Sequence, residues 1–104
     1  MKGVVVTTDN QVEIRDFGEP LYKTVGEAVG GYIETVTLDN TGLVVICNEE
    51  GRLRDLPYNC EVCGIDFVGP IVFAEVDGEE FASIEQEAFR LAFPELWKGA
   101  AIDG

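Results

Sequence analysis

Cys60-Glu61-Val62-Cys63 is the one stretch whose residue types and spacing match a chemical motif. Two thiols three positions apart can share a metal ion or exchange a disulfide. With Cys47 and a carboxylate from Asp55 or Asp66, they would make a Cys₃Asp zinc set built on Cys47, Cys60 and Cys63. Structural zinc ordinarily takes a second C-x-x-C or a histidine pair, and the sequence holds neither. A redox pair needs its first thiol at a helix N-terminus, where the pKa falls. The adjoining run from Gly64 to Pro70 is strand-like and loop-like instead. The plainer reading is three reduced cysteines acting as small, partly buried residues, with no metal and no cofactor.

The chain has no histidine. That excludes Ser-His-Asp and Cys-His pairs and any imidazole ligand. Twenty acidic residues make chance carboxylate pairs inevitable, so such a pair carries no specificity. The glycines at 26, 30 and 31 do not spell G-x-G-x-x-G, and no phosphate loop is expected. Tyr22, Tyr32 and Tyr58 are spread along the chain without a cluster of basic neighbours, unlike a base-stacking platform. No residue is assigned a catalytic role, and a non-enzymatic protein is expected.

Seven Lys and Arg against those acidic residues leave a net charge of −13. Such a field repels phosphate backbones and anionic membranes, so neither is an expected partner. Solubility, attraction to a basic partner and adaptation to a salty cytoplasm remain. Met1 to Asp9 turns polar too soon for a signal peptide, and no run approaches the ~20 apolar residues of a membrane span. A cytoplasmic protein is expected.

One domain over 1–104 is expected, with 94–104 as a C-terminal tail. Lys2 to Thr7 and Gln11 to Phe17 read as a hairpin around Thr8-Asp9-Asn10. Leu21, Val25, Ala28 and Val29 form a helical stripe after Pro20, stopped by Gly30-Gly31. Tyr32 to Leu38 returns as strand, and Leu43 to Cys47 has the unbroken apolar run of a strand buried on both faces. Asn48-Glu49-Glu50-Gly51 then predicts a hairpin loop with Gly51 in the left-handed region, and Arg52 to Leu56 the returning strand.

Tyr58 to Gly69 shows no regular pattern. Ile71 to Val76 and Glu79 to Ala82 flank the tight turn at Asp77-Gly78. Ser83 with Gln86 predicts a capping box for a second helix. Its stripe is Ile84, Ala88, Leu91 and Ala92, widened by Phe89 and Phe93, and Pro94 stops it. Trp97 is expected to pack back on the core. The sum is an α+β fold: a mainly antiparallel sheet of hairpins with two helices packed on one face. A free sheet edge leaves a dimer open as an oligomeric state.

Five segments carry a family resemblance: Gly30 to Glu34, Ile46 to Leu53, Leu56 to Asn59, Gly69 to Phe73, and Asp77 to Phe81. In order they resemble the "GGYIE", "NEEG", "LPxN", glycine with a hydrophobic strand, and "DGE(D/E)F" pattern of the family called domain of unknown function 3846. The resemblance covers about residues 1 to 93. Cys60 to Cys63 and the tail after Phe93 lie outside it. The resemblance implies a phage or mobile-element setting and no known activity. It draws attention to Asn48, Glu49, Glu50, Arg52, Arg54, Tyr58 and Asn59 as an interaction surface. Asn59 is expected to cap backbone groups through its side chain.

Three functions are expected. The first is a binding protein of a phage or mobile element, acting on a host or phage protein as a DNA mimic or other anti-defence factor. The second is a domain sequestering a nucleotide-like ligand beside the Asn48–Asn59 loop. The third is a zinc-stabilised module.

Overall fold

Val4-Val5-Val6, Leu43 to Cys47 and Ile71 to Ala74 are apolar at every position, so these strands put apolar side chains on both sides of any sheet they join. The computed structural model describes residues 1–9, 11–38 and 41–97. Its elements run β1 (Lys2–Val6), β2 (Val12–Asp16), α1 (Leu21–Val29), β3 (Ile33–Leu38), β4 (Leu43–Asn48), β5 (Tyr58–Val62), β6 (Ile65–Val68), β7 (Ile71–Asp77), β8 (Glu80–Ala82), α2 (Gln86–Ala92) and α3 (Pro94–Trp97). The main sheet has the order β2-β1-β7-β4-β3, with β8 pairing the far end of β7. Every pairing is antiparallel. The α+β class with a mainly antiparallel sheet is therefore the observed one. No helix among the described residues is long and apolar enough to cross a membrane.

Contrary to expectation, the helices do not share one face. Val5, Val44, Ile46, Val72 and Ala74 form one apolar layer with Val25 and Val29 of α1. Val4, Val45, Ile71 and Phe73 form the opposite layer with Phe89 of α2 and with Val62 and Phe67 of the β5–β6 hairpin. Strands buried on both sides need cover on both sides, and two helices on one face would leave the other wet. The second layer holds a run of rings: Phe73 lies 4.9 Å from Phe89 and 5.1 Å from Phe93, and Trp97 lies 6.1 Å from Phe89. Trp97 thus packs inward as expected.

Three local expectations are overturned. The run 49–55 is a series of turns and not a returning strand, with Arg54 N–H donating to Glu50 O and Leu56 N–H to Gly51 O. The left-handed residue there is Asp55 at φ 51°. Gly51 is instead a point of close packing, where a Cβ would lie 3.0 Å from Val68 Cγ2. Tyr58 to Val68 is a hairpin, with a register shift between Tyr58 and Cys60, turned at Cys63-Gly64, both with positive φ, as a two-residue I′ turn requires.

The capping box does not form either. Ser83 Oγ accepts the Lys2 N–H, and Ile84 N–H donates to Lys2 O, so this segment is tied to the start of β1. The helix α2 starts at Gln86, and Leu91 of the expected stripe is 74% exposed. The residues that do pack are Phe89, Phe93, Leu96 and Trp97. Pro94 ends α2 and opens α3, where its missing N–H costs no hydrogen bond. The expected turn at Asp39-Asn40-Thr41-Gly42 and the tail from 98 onward lie wholly or partly outside the described residues.

Two buried side chains, Asn59 and Cys47, stand out in this layer. Asn59 donates from Nδ2 to Val6 O at 2.9 Å and to Gly69 O at 2.8 Å, so the expected backbone cap is observed. It clips the small hairpin to the end of β1. Cys47 lies in the core of β4, and burial, followed by the nearby Glu34 carboxylate, pushes its thiol up to about 11. The neutral thiol is the form the fold accommodates.

Each of these packing contacts has a measurable consequence. Phe89→Ala removes the centre of the ring cluster and should lower unfolding free energy by about 3–5 kcal/mol in urea titration. Asn59→Asp sets a carboxylate against two carbonyl oxygens. It should destabilise more than Asn59→Ala, itself about 1–3 kcal/mol, and the gap should close as pH falls and the carboxyl protonates. In the unfolded chain Cys47 ionises near the ordinary value of 9.0, below its folded value of about 11. Its stabilising share is full below pH 9 and is lost towards pH 11. Over that window wild type should lose about 2 kcal/mol more than Cys47→Ala, measured by denaturant titration at each pH.

Candidate functional site

The strand β4 is buried along its whole length and ends in a polar residue, Asn48, only 6% exposed. A buried amide must find protein partners. Its Nδ2 donates to Val29 O at the C-terminus of α1, and its Oδ1 accepts the Glu50 N–H at 2.8 Å. One side chain therefore satisfies a helix-end carbonyl and bends the following chain into turns. Two further bonds brace the same junction. Glu49 N–H donates to Tyr32 O at 2.8 Å, and Arg54 Nη1 donates to Gly30 O at 2.9 Å.

Two glycines make the approach close enough. Gly30, at φ 86°, ends α1 in the left-handed conformation. Gly31 carries no side chain where a Cβ would lie 3.0 Å from Asn48 Nδ2 and 3.2 Å from Arg54 Nη1. The segments Gly30-Gly31-Tyr32 and Asn48-Glu49-Glu50, far apart in sequence, are locked edge to edge.

Beside this junction the surface opens into a concavity of about 600 Å³, walled by α1 on one side and the 49–54 turns on the other. Tyr22 and Tyr32 stand at it with 74% and 76% of their surface in solvent. Its charged lining is Glu27, Glu49 and Glu50 against Lys23 and Arg54. The Arg54 guanidinium is partly engaged by Gly30 O. The lining contains no thiol, and the chain has no histidine. What it offers is aromatic faces and carboxylates, a combination that attracts cations.

A smaller concavity of about 250 Å³ lies on the opposite side of the 48–54 turns. Glu34 and Val36 of β3, Arg52 and Leu53 of the turns, and Ile65 to Val68 of β6 line it. Arg52 donates from Nη2 to Asp66 O, which pins the turns to the hairpin.

The surface expected from sequence is thus divided. Glu50 and Arg54 belong to the large concavity and Arg52 to the small one, while Glu49 borders both. Tyr58 stands on the hairpin, its hydroxyl donating to Asp66 Oδ1 at 3.1 Å. Asn48 and Asn59 are buried and act from beneath, so they are not contact residues. Sequence reasoning misses Tyr22, Lys23 and Glu27. They sit on the exposed side of α1, and a polar helix face reads as solvent-facing unless another element is known to meet it. Tyr22 and Tyr32, separate in sequence, reach the same concavity.

The cysteines lie on three different elements. Cys47 is in the core, Cys60 is half-buried on β5 with its thiol pushed up by burial, and Cys63 is exposed at the hairpin turn. Among the described residues no group of three Cys, Asp or Glu side chains is placed to hold a metal ion.

Neither the curated proteins nor the solved structures contain a match to this chain. Among protein families, residues 1–97 match the one described as domain of unknown function DUF3846. The segments that build the large concavity, Gly30 to Ile33 and Asn48 to Arg54, fall inside that match. The chain belongs to the DUF3846 family.

Proposed function

We propose that the chain is a small, non-catalytic binding domain of a phage or other mobile element, which acts in the cytoplasm on a basic surface of a host or phage protein. The observation that carries this reading is the braced concavity itself. Two exposed tyrosines and three glutamates surround an opening whose floor is fixed by Asn48, Arg54 and the Gly30-Gly31 pair. Its exposed aromatic rings resemble the anchors that concentrate binding energy at protein interfaces. The net charge of −13 steers basic partners towards it and phosphate-bearing ones away.

A small-molecule reading has one observation in its favour, since about 600 Å³ falls within the range of ligand pockets. A nucleotide would bring phosphates against Glu27, Glu49 and Glu50, with Lys23 as the cation not engaged by a backbone carbonyl. Charge thus favours a cationic occupant. The DNA-mimic form needs carboxylates in rows on one exposed face. They are carried instead by β2, α1, β3, the 49–55 turns, the β5–β6 hairpin, β7, β8 and α2, on both sides of the sheet. The concavity is therefore the more specific basis for a binding role.

The test is affinity capture from host lysate with wild type and with a Tyr22→Ala/Tyr32→Ala double variant side by side. Both tyrosines are mostly exposed, so the variant should keep its thermal stability. A basic protein retained by wild type, released by roughly 0.5 M salt and lost with the variant is the expected result. Identical capture by the two proteins, or saturable binding of a nucleotide at the concavity, would overturn the reading.

A further inference from the structure

The two edges of the main sheet are protected unequally. At one edge β2 carries Glu13, Arg15 and Asp16, all exposed, with Arg15 paired to Glu13 and Asp16 to the N-terminal ammonium. A short, charged strand of this kind is a usual guard against unwanted pairing. At the other edge β3 reads Ile33-Glu34-Thr35-Val36-Thr37-Leu38, six residues with one charge and no proline, glycine or lysine. Among the described residues β3 pairs with β4 alone.

The register says which of its backbone groups are free. Glu49 N–H donates to Tyr32 O, so Tyr32 and Glu49 face each other as a hydrogen-bonded pair. In an antiparallel ladder such pairs alternate. Glu34, Val36 and Leu38 therefore turn their N–H and C=O groups towards β4. Ile33, Thr35 and Thr37 turn theirs outwards, along the open edge. The side chains alternate as well, with Ile33 on the α1 side and Glu34 and Val36 on the hairpin side. The large concavity includes Ile33, and the small one includes Glu34 and Val36. One open strand edge is flanked by a hollow on each face.

The geometry points to strand addition: an extended, basic segment of another protein pairs with β3 through Ile33, Thr35 and Thr37 and sends alternate side chains into the two concavities. This is the arrangement in which main-chain bonds give affinity and pockets for alternate side chains give specificity. The occupant is basic because carboxylates outnumber cations at each hollow, Glu27, Glu49 and Glu50 against Lys23 and Arg54 at one and Glu34, Glu49 and Asp66 against Arg52 at the other. Both arginines already donate to backbone carbonyls. A second copy of this chain would bring another −13 charges to the same edge and is disfavoured. The inference rests on the binding reading above and deepens it by naming the docking mode.

The probe is a fluorescein-labelled ten-residue peptide of alternating arginine and threonine. Two analogues accompany it, one N-methylated at every arginine and one at every threonine, with a glutamate-for-arginine control. Anisotropy gives affinity, and amide NMR shifts give the site. The parent peptide should shift the amides of residues 32–37, and one N-methylated analogue, by blocking the inward N–H groups, should bind at least about tenfold more weakly. Thr35→Pro removes only an outward N–H, so its far-UV circular dichroism should match wild type while peptide binding falls about tenfold.

Equal binding by both methylated analogues, shifts scattered away from β3, binding of the acidic control, or a concentration-dependent dimer that blocks the peptide would each overturn strand addition. Lysate capture separates the two claims. Capture lost with the tyrosine variant but kept by Thr35→Pro would leave the concavity reading standing and sink this one.

Discussion

Asn48 is the point on which the architecture turns. It is the polar end of a strand otherwise buried among valines and isoleucines, and its side chain is only 6% exposed. Leaving such a group unpaired would cost about 1–3 kcal/mol, so its partners are effectively prescribed. Those partners are the last carbonyl of α1 and the second N–H of the outgoing turn. Satisfying one amide therefore fixes where the helix ends, how the chain leaves the sheet and how near the two come. Arg54 repeats the connection from the far end of the turns, and Arg52 reaches the other way to the hairpin. The large concavity is the space left when a helix and a turn are fastened at one corner.

The sheet sets the second constraint. With β1, β4 and β7 apolar on both faces, the chain must supply two covers from few residues. On one side α1 is the main cover, through Val25 and Val29, with Phe17 beside it. On the other, a single short helix is too small, and α2, α3 and the β5–β6 hairpin share the task. This explains why the aromatic cluster sits on that side, since Phe73, Phe89, Phe93 and Trp97 fill more volume per residue than valines do. Charge is excluded from both layers and displaced outward, so a protein with twenty carboxylates keeps a dry interior. The central strands spend their side chains on both covers, and the edge strand β3 is left half exposed.

Much of this was legible in the residues. Unbroken apolar runs marked the central strands, and the same signal, taken together over Val4 to Val6, Leu43 to Cys47 and Ile71 to Ala74, already required two covers. The expectation of helices on one face overlooked that arithmetic. The helix over Leu21 to Val29 and its glycine stop were plain because stripe and terminator agreed. Arg52 to Leu56 misled because its spaced apolar residues mimic a strand, whereas two arginines with distant carbonyl partners hold it as turns. Cys63 hid a tight turn because a non-glycine residue at positive φ has no strong local signature. Ser83 was a sound helix cap in isolation and was taken by Lys2, a partner 81 positions away. Of the site, the 48–54 side was visible in the sequence. The α1 side was not, because nothing local says which element will face a polar helix surface.

The segments that carry the family pattern divide by what their structure demands. Gly30 and Gly31 are required by a left-handed helix end and a close approach, Asn48 and Asn59 by buried carbonyls and amides, and Gly51 by the packing of Val68. The fold alone accounts for these glycines and for the hydrogen bonds the two amides make. Tyr32, Glu49 and Glu50 are different. Their backbones brace the junction, yet their side chains stand in solvent. Folding would be served as well by an alanine or a serine at these positions. The scaffold fixes its backbone firmly here and presents a ring and two carboxylates at the lip of a hollow, and this supports the binding role proposed above. That remainder, after the structural demands are subtracted, is the physical basis for regarding this corner of the fold as a recognition surface.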